Sequence, residues 1–308
     1  MLRLLVAAPA AFLPRQSPAT PGRTLRFEND IASLALHVPK VVIITHHKSG
    51  TVAAQDLIGD LCWPDGYAGH WNPASWMSVG KSLCEDDGVH FFQGGLQYPL
   101  QWPLTTATVV HFIRKPVDMV VSGYLYHRRC SEPLFTHLPM PLWALRPDAM
   151  LWMGGNATRE AILRELDPLQ LRHANASYCE LLQQATPEQG IAAETLRTLS
   201  ASDGVGSMLH DASVLHSLNS SQRLSQLLSI CDSDIVQTYS EQANATWRQL
   251  AIDLGMIGPI HVHFDPSHST RDDGFPQNVS VEELTAMAAR ELEQRRPSAL
   301  AFECISQL

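Results

Sequence analysis

Apolar residues in this chain gather into short unbroken runs set among longer stretches of helical period. Residues 40–45 (KVVIIT) and 107–113 (ATVVHFI) are continuous and rich in β-branched side chains. Such runs predict strands buried on both faces. Residues 89–93, 234–239 and 260–264 predict three further strands. Between them, Ala53, Ala54, Leu57, Ile58 and Leu61 share one face of a helix over residues 50–61. Pro116 suits the first turn of a helix running to about residue 130. Three capping boxes mark helix starts, at Ser177/Glu180, Thr186/Gln189 and Ser280/Glu283. The last of these helices extends to about residue 296, and another covers 242–254. Residues 131–233 are helical and irregular without a repeat, and the Ser- and Asp-rich part from 200 to 233 shows no clear divisions. Strands alternating with helices predict an α/β fold, a central parallel sheet flanked by helices.

The N-terminal region changes the domain plan. Arg3 precedes an apolar run from Leu4 to Leu13, followed by a Pro/Ser/Thr-rich stretch to Thr24. Residues 1–38 are therefore expected to be a tail or a signal or anchor segment outside the fold. The domain proper is expected over 39–308, with 131–233 as a helical, acceptor-side region. No run of 18 apolar residues is present.

Composition narrows the function classes. Of 308 residues 45% are apolar and 17% charged, with a net charge of −9. A nucleic-acid binder needs a basic stripe, which this balance argues against. Five of the seven Asn begin Asn-x-Ser/Thr triplets: Asn156, Asn175, Asn219, Asn244 and Asn278. With 25 Ser and 16 Thr in the chain, chance gives about one such triplet. The excess favours the secretory pathway, with the cytoplasm as the alternative. The six Cys show no Cys-x-x-Cys or metal-ligand spacing, and in an oxidising lumen one or two disulfides are expected.

Candidate chemistry begins at Thr45-His46-His47-Lys48-Ser49-Gly50-Thr51. A strand, then this loop, then a helix brings backbone N–H groups and the positive helix end to one point, which suits an anion. Lys48 adds a charge, Gly50 lets the backbone approach, and Thr51 adds a hydroxyl. An ATP-type loop needs Gly five residues before Gly-Lys-Ser/Thr, and this loop lacks it. His46 and His47 either assist anion binding or sit exposed in the loop, and the second reading is preferred. A second strand ends in Arg114-Lys115-Pro116-Val117-Asp118, with Ser122, Tyr124 and His127 beyond. Arg114 at a helix mouth and Ser122 two turns in are placed to reach one phosphate.

On these two elements the chain resembles the sulfotransferases that use 3′-phosphoadenosine 5′-phosphosulfate. The resemblance covers residues 40–130 well and 234–257 weakly. It implies a P-loop NTPase-like sulfotransferase fold. It also implies that Lys48, Ser49, Gly50 and Thr51 hold the 5′-phosphosulfate, and Arg114 and Ser122 the 3′-phosphate. The cytosolic relatives' Thr-Trp after the loop is Val52-Ala53 here, so the adenine needs another stacking partner. Arg271 is expected to close over the 3′-phosphate, as a late basic loop does in relatives.

Sulfuryl transfer, like phosphoryl transfer, rests on positioning and electrostatics. Lys48 is expected to stabilise the leaving bridging oxygen. The general base is expected to be His90, with His70 second and Glu85, Asp86 and Asp87 behind. His261, His263, Asp265 and His268 have the alternating pattern of a metal site, but the family needs no metal and none is expected. The expected co-substrate is 3′-phosphoadenosine 5′-phosphosulfate, and the expected partner an acceptor that is a carbohydrate or glycoconjugate in the Golgi lumen, with a small molecule as the other acceptor class. The competing readings are a cytosolic small-molecule sulfotransferase and a catalytically silent nucleotide-binding module on the same fold.

Overall fold

A computed structural model describes residues 41–51, 53–54, 57–58, 89–93, 106–132, 136–169, 175–231, 241–256 and 279–304. The chain divides into two units, Met1–Leu36 and His37–Leu308, and every described residue lies in the second.

Four parallel strands form one sheet: β1 (Val41–Thr45), β2 (Val89–Gln93), β3 (Thr108–Ile113) and β4 (Gln226–Cys231), in the order β2-β1-β3-β4. The expected α/β class with a parallel sheet flanked by helices is therefore present. Unbroken apolar runs explain it, because strands covered on both sides have no solvent face. Along β1 and β3 alternate side chains enter different packing layers. Ile43, Val110 and Phe112 meet Ala53, Ala54, Leu57 and Ile58, together with Trp247 and Leu250 of α7 (Glu241–Asp253). Val42, Ile44 and Val109 face the other way, onto Leu215 of α6 (Val205–Ser220).

Beyond the sheet lies a helical layer. It comprises α1 (Pro116–Arg128), a 3-10 turn (Met140–Leu145), α2 (Pro147–Met153), α3 (Asn156–Leu166), α4 (Tyr178–Gln184), α5 (Pro187–Ser200), α8 (Val281–Arg295) and the short α9 (Pro297–Leu300). Met119, Tyr124, Trp143, Trp152, Tyr178 and Leu292 are among the side chains that fill its core. All three capping boxes form, each with a hydroxyl accepting from the backbone three residues on. Pro116 opens α1 at its first turn.

One strand differs from the sequence expectation. The neighbour of β3 is Gln226–Cys231, inside the Ser/Asp-rich stretch that the apolar pattern left undivided. The strands expected at 234–239 and 260–264 lie outside the described residues. Two disulfides, Cys130–Cys179 and Cys231–Cys304, tie the turn after α1 to α4 and β4 to the C-terminal segment.

The turn from α5 into α6 is set by close backbone approach. A Cβ placed on Gly204 would lie 2.0 Å from the Thr198 carbonyl oxygen. That atom belongs to α5 and cannot swing aside as a side chain would. Gly204→Ala is expected to cost about 2–3 kcal/mol through overpacking. Urea unfolding checks this, and an unchanged midpoint would contradict it.

Candidate functional site

The strand order sets the location. From β1 the sheet extends to β2 on one side and to β3 and β4 on the other, so the order reverses at the β1/β3 boundary. In open α/β sheets, ligands bind in the crevice outside the carboxyl ends of strands at such a reversal. The Lys48 loop leaves β1 there, and Arg114 leaves β3 beside it.

The loop is tightly wound. Lys48 has φ +64° and Gly50 φ +94°, both left-handed; for Lys48 this is a conformation that side chains disfavour. The Ser49 N–H and hydroxyl both donate to the His46 carbonyl, each at 3.0 Å, and the hydroxyl accepts from the His46 N–H at 2.7 Å. The Thr51 hydroxyl donates to the same carbonyl at 3.2 Å. Both hydroxyls thus brace the loop. The His47 N–H donates to the Asp203 carbonyl, anchoring the loop to the turn before α6.

Arg114 and Lys48 come together. The Arg114 guanidinium donates to the Lys48 carbonyl at 2.9 Å. The Lys48 ammonium lies over the Tyr126 ring. Burial, with Arg114 and Arg129 acting the same way, pushes the Lys48 pKa down to about 7 against the pull of Glu132. Ser122 is buried within α1. A groove of about 390 Å³ opens next to Arg114, at Lys115 and Pro116, walled by Phe302, Glu303 and Cys304. No residue of the Lys48 loop lines it.

His46 and His47 correct the sequence reading that favoured exposed rings: both are buried. His46 Nε2 lies 3.1 Å from His111 Nε2 and 3.5 Å from Asp211. Burial holds both rings neutral, lowering His46 well below the usual imidazole range and His111 to about 3. His47 stacks on His127 with ring centroids 4.9 Å apart. Glu132 lies 3.5 Å from His47 Nδ1 and 3.4 Å from His127 Nε2. Burial alone would raise the Glu132 pKa, but His47, His127 and Lys48 together hold it well below the usual carboxylate range.

Behind His127 stands a wholly buried carboxylate, Glu194. It bonds His127 Nδ1 at 2.9 Å, accepts from the Tyr178 hydroxyl at 2.8 Å and pairs with Arg197 at 2.8 Å. Burial opposes its charge, but Arg197 and His127 outweigh that and bring its pKa down to about 2. Arg197 also stacks over the Trp152 ring and approaches Asp203 at 4.0 Å. The Asp203 carboxyl is pushed up to about 6 by burial, against Arg197.

These groups were missed by sequence reasoning, although one signal was present. Glu194 and Arg197 stand three apart within the buried stretch of α5 that also holds Ile191, Ala193 and Thr195. A charged pair on a core-facing helix is costly unless paired.

His90 lies on β2 in register with Val42 of β1. Its side chain, Arg271, His70, Glu85, Asp86, Asp87 and the His261/His263/Asp265/His268 cluster lie outside the described residues. Comparison with known families, curated proteins and solved structures gives no match to this chain.

Proposed function

We propose that the protein is a sulfotransferase that moves a sulfuryl group from 3′-phosphoadenosine 5′-phosphosulfate to a hydroxyl or amine, with a carbohydrate or glycoconjugate as acceptor. One observation carries the reading: two cation-bearing loops leave neighbouring parallel strands at the point of order reversal, joined by the 2.9 Å bond from Arg114 to the Lys48 carbonyl. A donor with phosphate groups at both its 5′ and 3′ positions needs two such anion sites. In this P-loop-like arrangement Lys48 and the backbone of Ser49–Thr51 take the 5′-phosphosulfate. Arg114 takes the 3′-phosphate, with Ser122 and Arg271 as further contacts.

The acceptor oxygen or nitrogen attacks sulfur, and the bond from sulfur to the bridging phosphate oxygen breaks. The bisphosphate leaves, and a base removes the acceptor proton; His90 holds that role in this reading. Lys48 stabilises charge on the leaving oxygen. An arriving anion restores its charge, which burial and the neighbouring Arg114 and Arg129 make costly at neutral pH.

A secretory location is part of the proposal. Asn156, Asn175 and Asn219 are all exposed, and two disulfides stand among the described residues. Among the described residues no helix is long and apolar enough to cross a membrane.

A second reading, a nucleotide-binding protein without activity, is favoured by the Ser49 and Thr51 hydroxyls turned onto His46. Transfer of label from a radiolabelled donor to an acceptor panel separates the two. Lys48→Ala should reduce transfer by about 10²–10³-fold, as losing one donor to a transition-state charge does. Transfer that survives this substitution at full rate would sink the assignment, and absence of transfer by the wild type would favour the inactive reading.

A further inference from the structure

We propose that His47, His127 and Glu132 bind a divalent transition-metal ion of the zinc class, a site that stands apart from the nucleotide reading and does not rest on it. The three residues come from different segments: the loop after β1, the last turn of α1 and the stretch following it. Their ligand atoms all lie within 4.8 Å of one another. Glu132 spans the pair, one oxygen 3.5 Å from His47 Nδ1 and the other 3.4 Å from His127 Nε2. A tetrahedral ion with bonds of about 2.1 Å sets its ligand atoms about 3.4 Å apart. Two imidazoles and one carboxylate are a donor set suited to zinc.

Direct contact does not satisfy these groups. His127 Nε2, His47 Nε2 and Glu132 Oε2 are buried without a hydrogen bond. The His127 ring is fully buried, and its Nε2 meets a Glu132 oxygen at 3.4 Å, too far for a good hydrogen bond, so it is poorly satisfied. Its other nitrogen faces Glu194 Oε2 at 2.9 Å. A neutral ring that donates from Nδ1 to this carboxylate presents its lone pair at Nε2, the arrangement that orients metal-bound histidines. Glu194 is in turn held by Tyr178 and Arg197. The opening is at Glu132, whose side chain is 23% exposed. A fourth ligand would come from the solvent that reaches this side chain.

Two features set the conditions for binding. The rings stack nearly parallel, 9° apart, so His47 must turn about its Cβ–Cγ bond to direct a nitrogen at the shared ion. Lys48 and Arg197 are the nearby cations, offset by Glu132, Glu194 and Asp203.

The test uses the full chain, stripped with a chelator, then equilibrated with Zn²⁺ and separately with Co²⁺. One equivalent of zinc should be retained per chain, and Co²⁺ should give the intense visible bands of a four-coordinate site. Glu132→Gln and His47→Gln, each checked for a native circular dichroism spectrum, should weaken zinc binding by at least about tenfold. A combined His261→Ala, His263→Ala, His268→Ala variant should retain it. The proposal is overturned if the wild type holds no zinc, if its Co²⁺ spectrum is six-coordinate, if both single variants bind as the wild type does, or if only the His261 cluster variant loses the metal.

Discussion

Glu194→Ala should lower folding stability by about 3–5 kcal/mol, the range for removing one partner of a buried ion pair. The carboxylate is wholly buried and serves three donors, His127, Tyr178 and Arg197. Without it, Arg197 keeps a charge in the core with Asp203 4.0 Å away as the remaining acid. For a domain of this size the loss corresponds to a fall in melting temperature of about 6–20 °C. Urea unfolding of the wild type and Glu194→Ala measures it. A double variant, Glu194→Leu with Arg197→Met, should recover much of the loss, since apolar replacement of a buried pair is often neutral. A Glu194→Ala loss below about 1 kcal/mol would show that the network contributes little.

Acid should destabilise the fold from just below pH 6.5, before most carboxylates titrate. His46 and His111 meet nitrogen to nitrogen at 3.1 Å, a contact that one proton satisfies and a second would break. In the unfolded chain each takes up a proton near 6.5, whereas in the fold His111 resists to about 3 and His46 to well below 6.5. The stability these rings contribute is therefore fully present above pH 6.5 and is lost as pH falls from there toward 3. His47, lowered well below 6.5 by burial, acts in the same sense. Asp203 acts in the opposite sense. Its folded pKa is raised from 3.8 to about 6, so between those values the fold holds a proton that the unfolded chain lacks. The three rings outweigh Asp203, so stability should fall as pH drops below 6.5, by about 1.4 kcal/mol per pH unit for each full proton gained on unfolding. His111→Phe should remove one proton of this dependence. Unfolding midpoints at pH 5 and 7 provide the check, and an unchanged slope in the variant would contradict the assignment.

Much of the frame was legible because it depends on local pattern. The runs VVIIT and TVVHFI specify β1 and β3 without ambiguity, and the three capping boxes fix helix starts by local hydrogen bonding. β4 was not legible, since Ser229 interrupts QLLSIC and the stretch before it is polar. Lys48 and Arg114 were legible as cations at strand ends. The burial of His46 and His47 was not. It depends on packing against His111, Asp211 and His127, which are distant in sequence. Glu132 gave no signal either, because its partners come from the β1 loop and the end of α1.

The central claim, a two-anion nucleotide site shared by Lys48 and Arg114, is tested most directly by thermal shift with 3′-phosphoadenosine 5′-phosphate. At 100 times its Kd this ligand should stabilise the wild type by about 2.7 kcal/mol. Adenosine 5′-phosphate and ATP, which lack the 3′-phosphate, should stabilise less. Lys48→Ala and Arg114→Ala should each reduce the shift. Equal shifts with and without the 3′-phosphate, no shift at all, or full shifts in both variants would contradict the account.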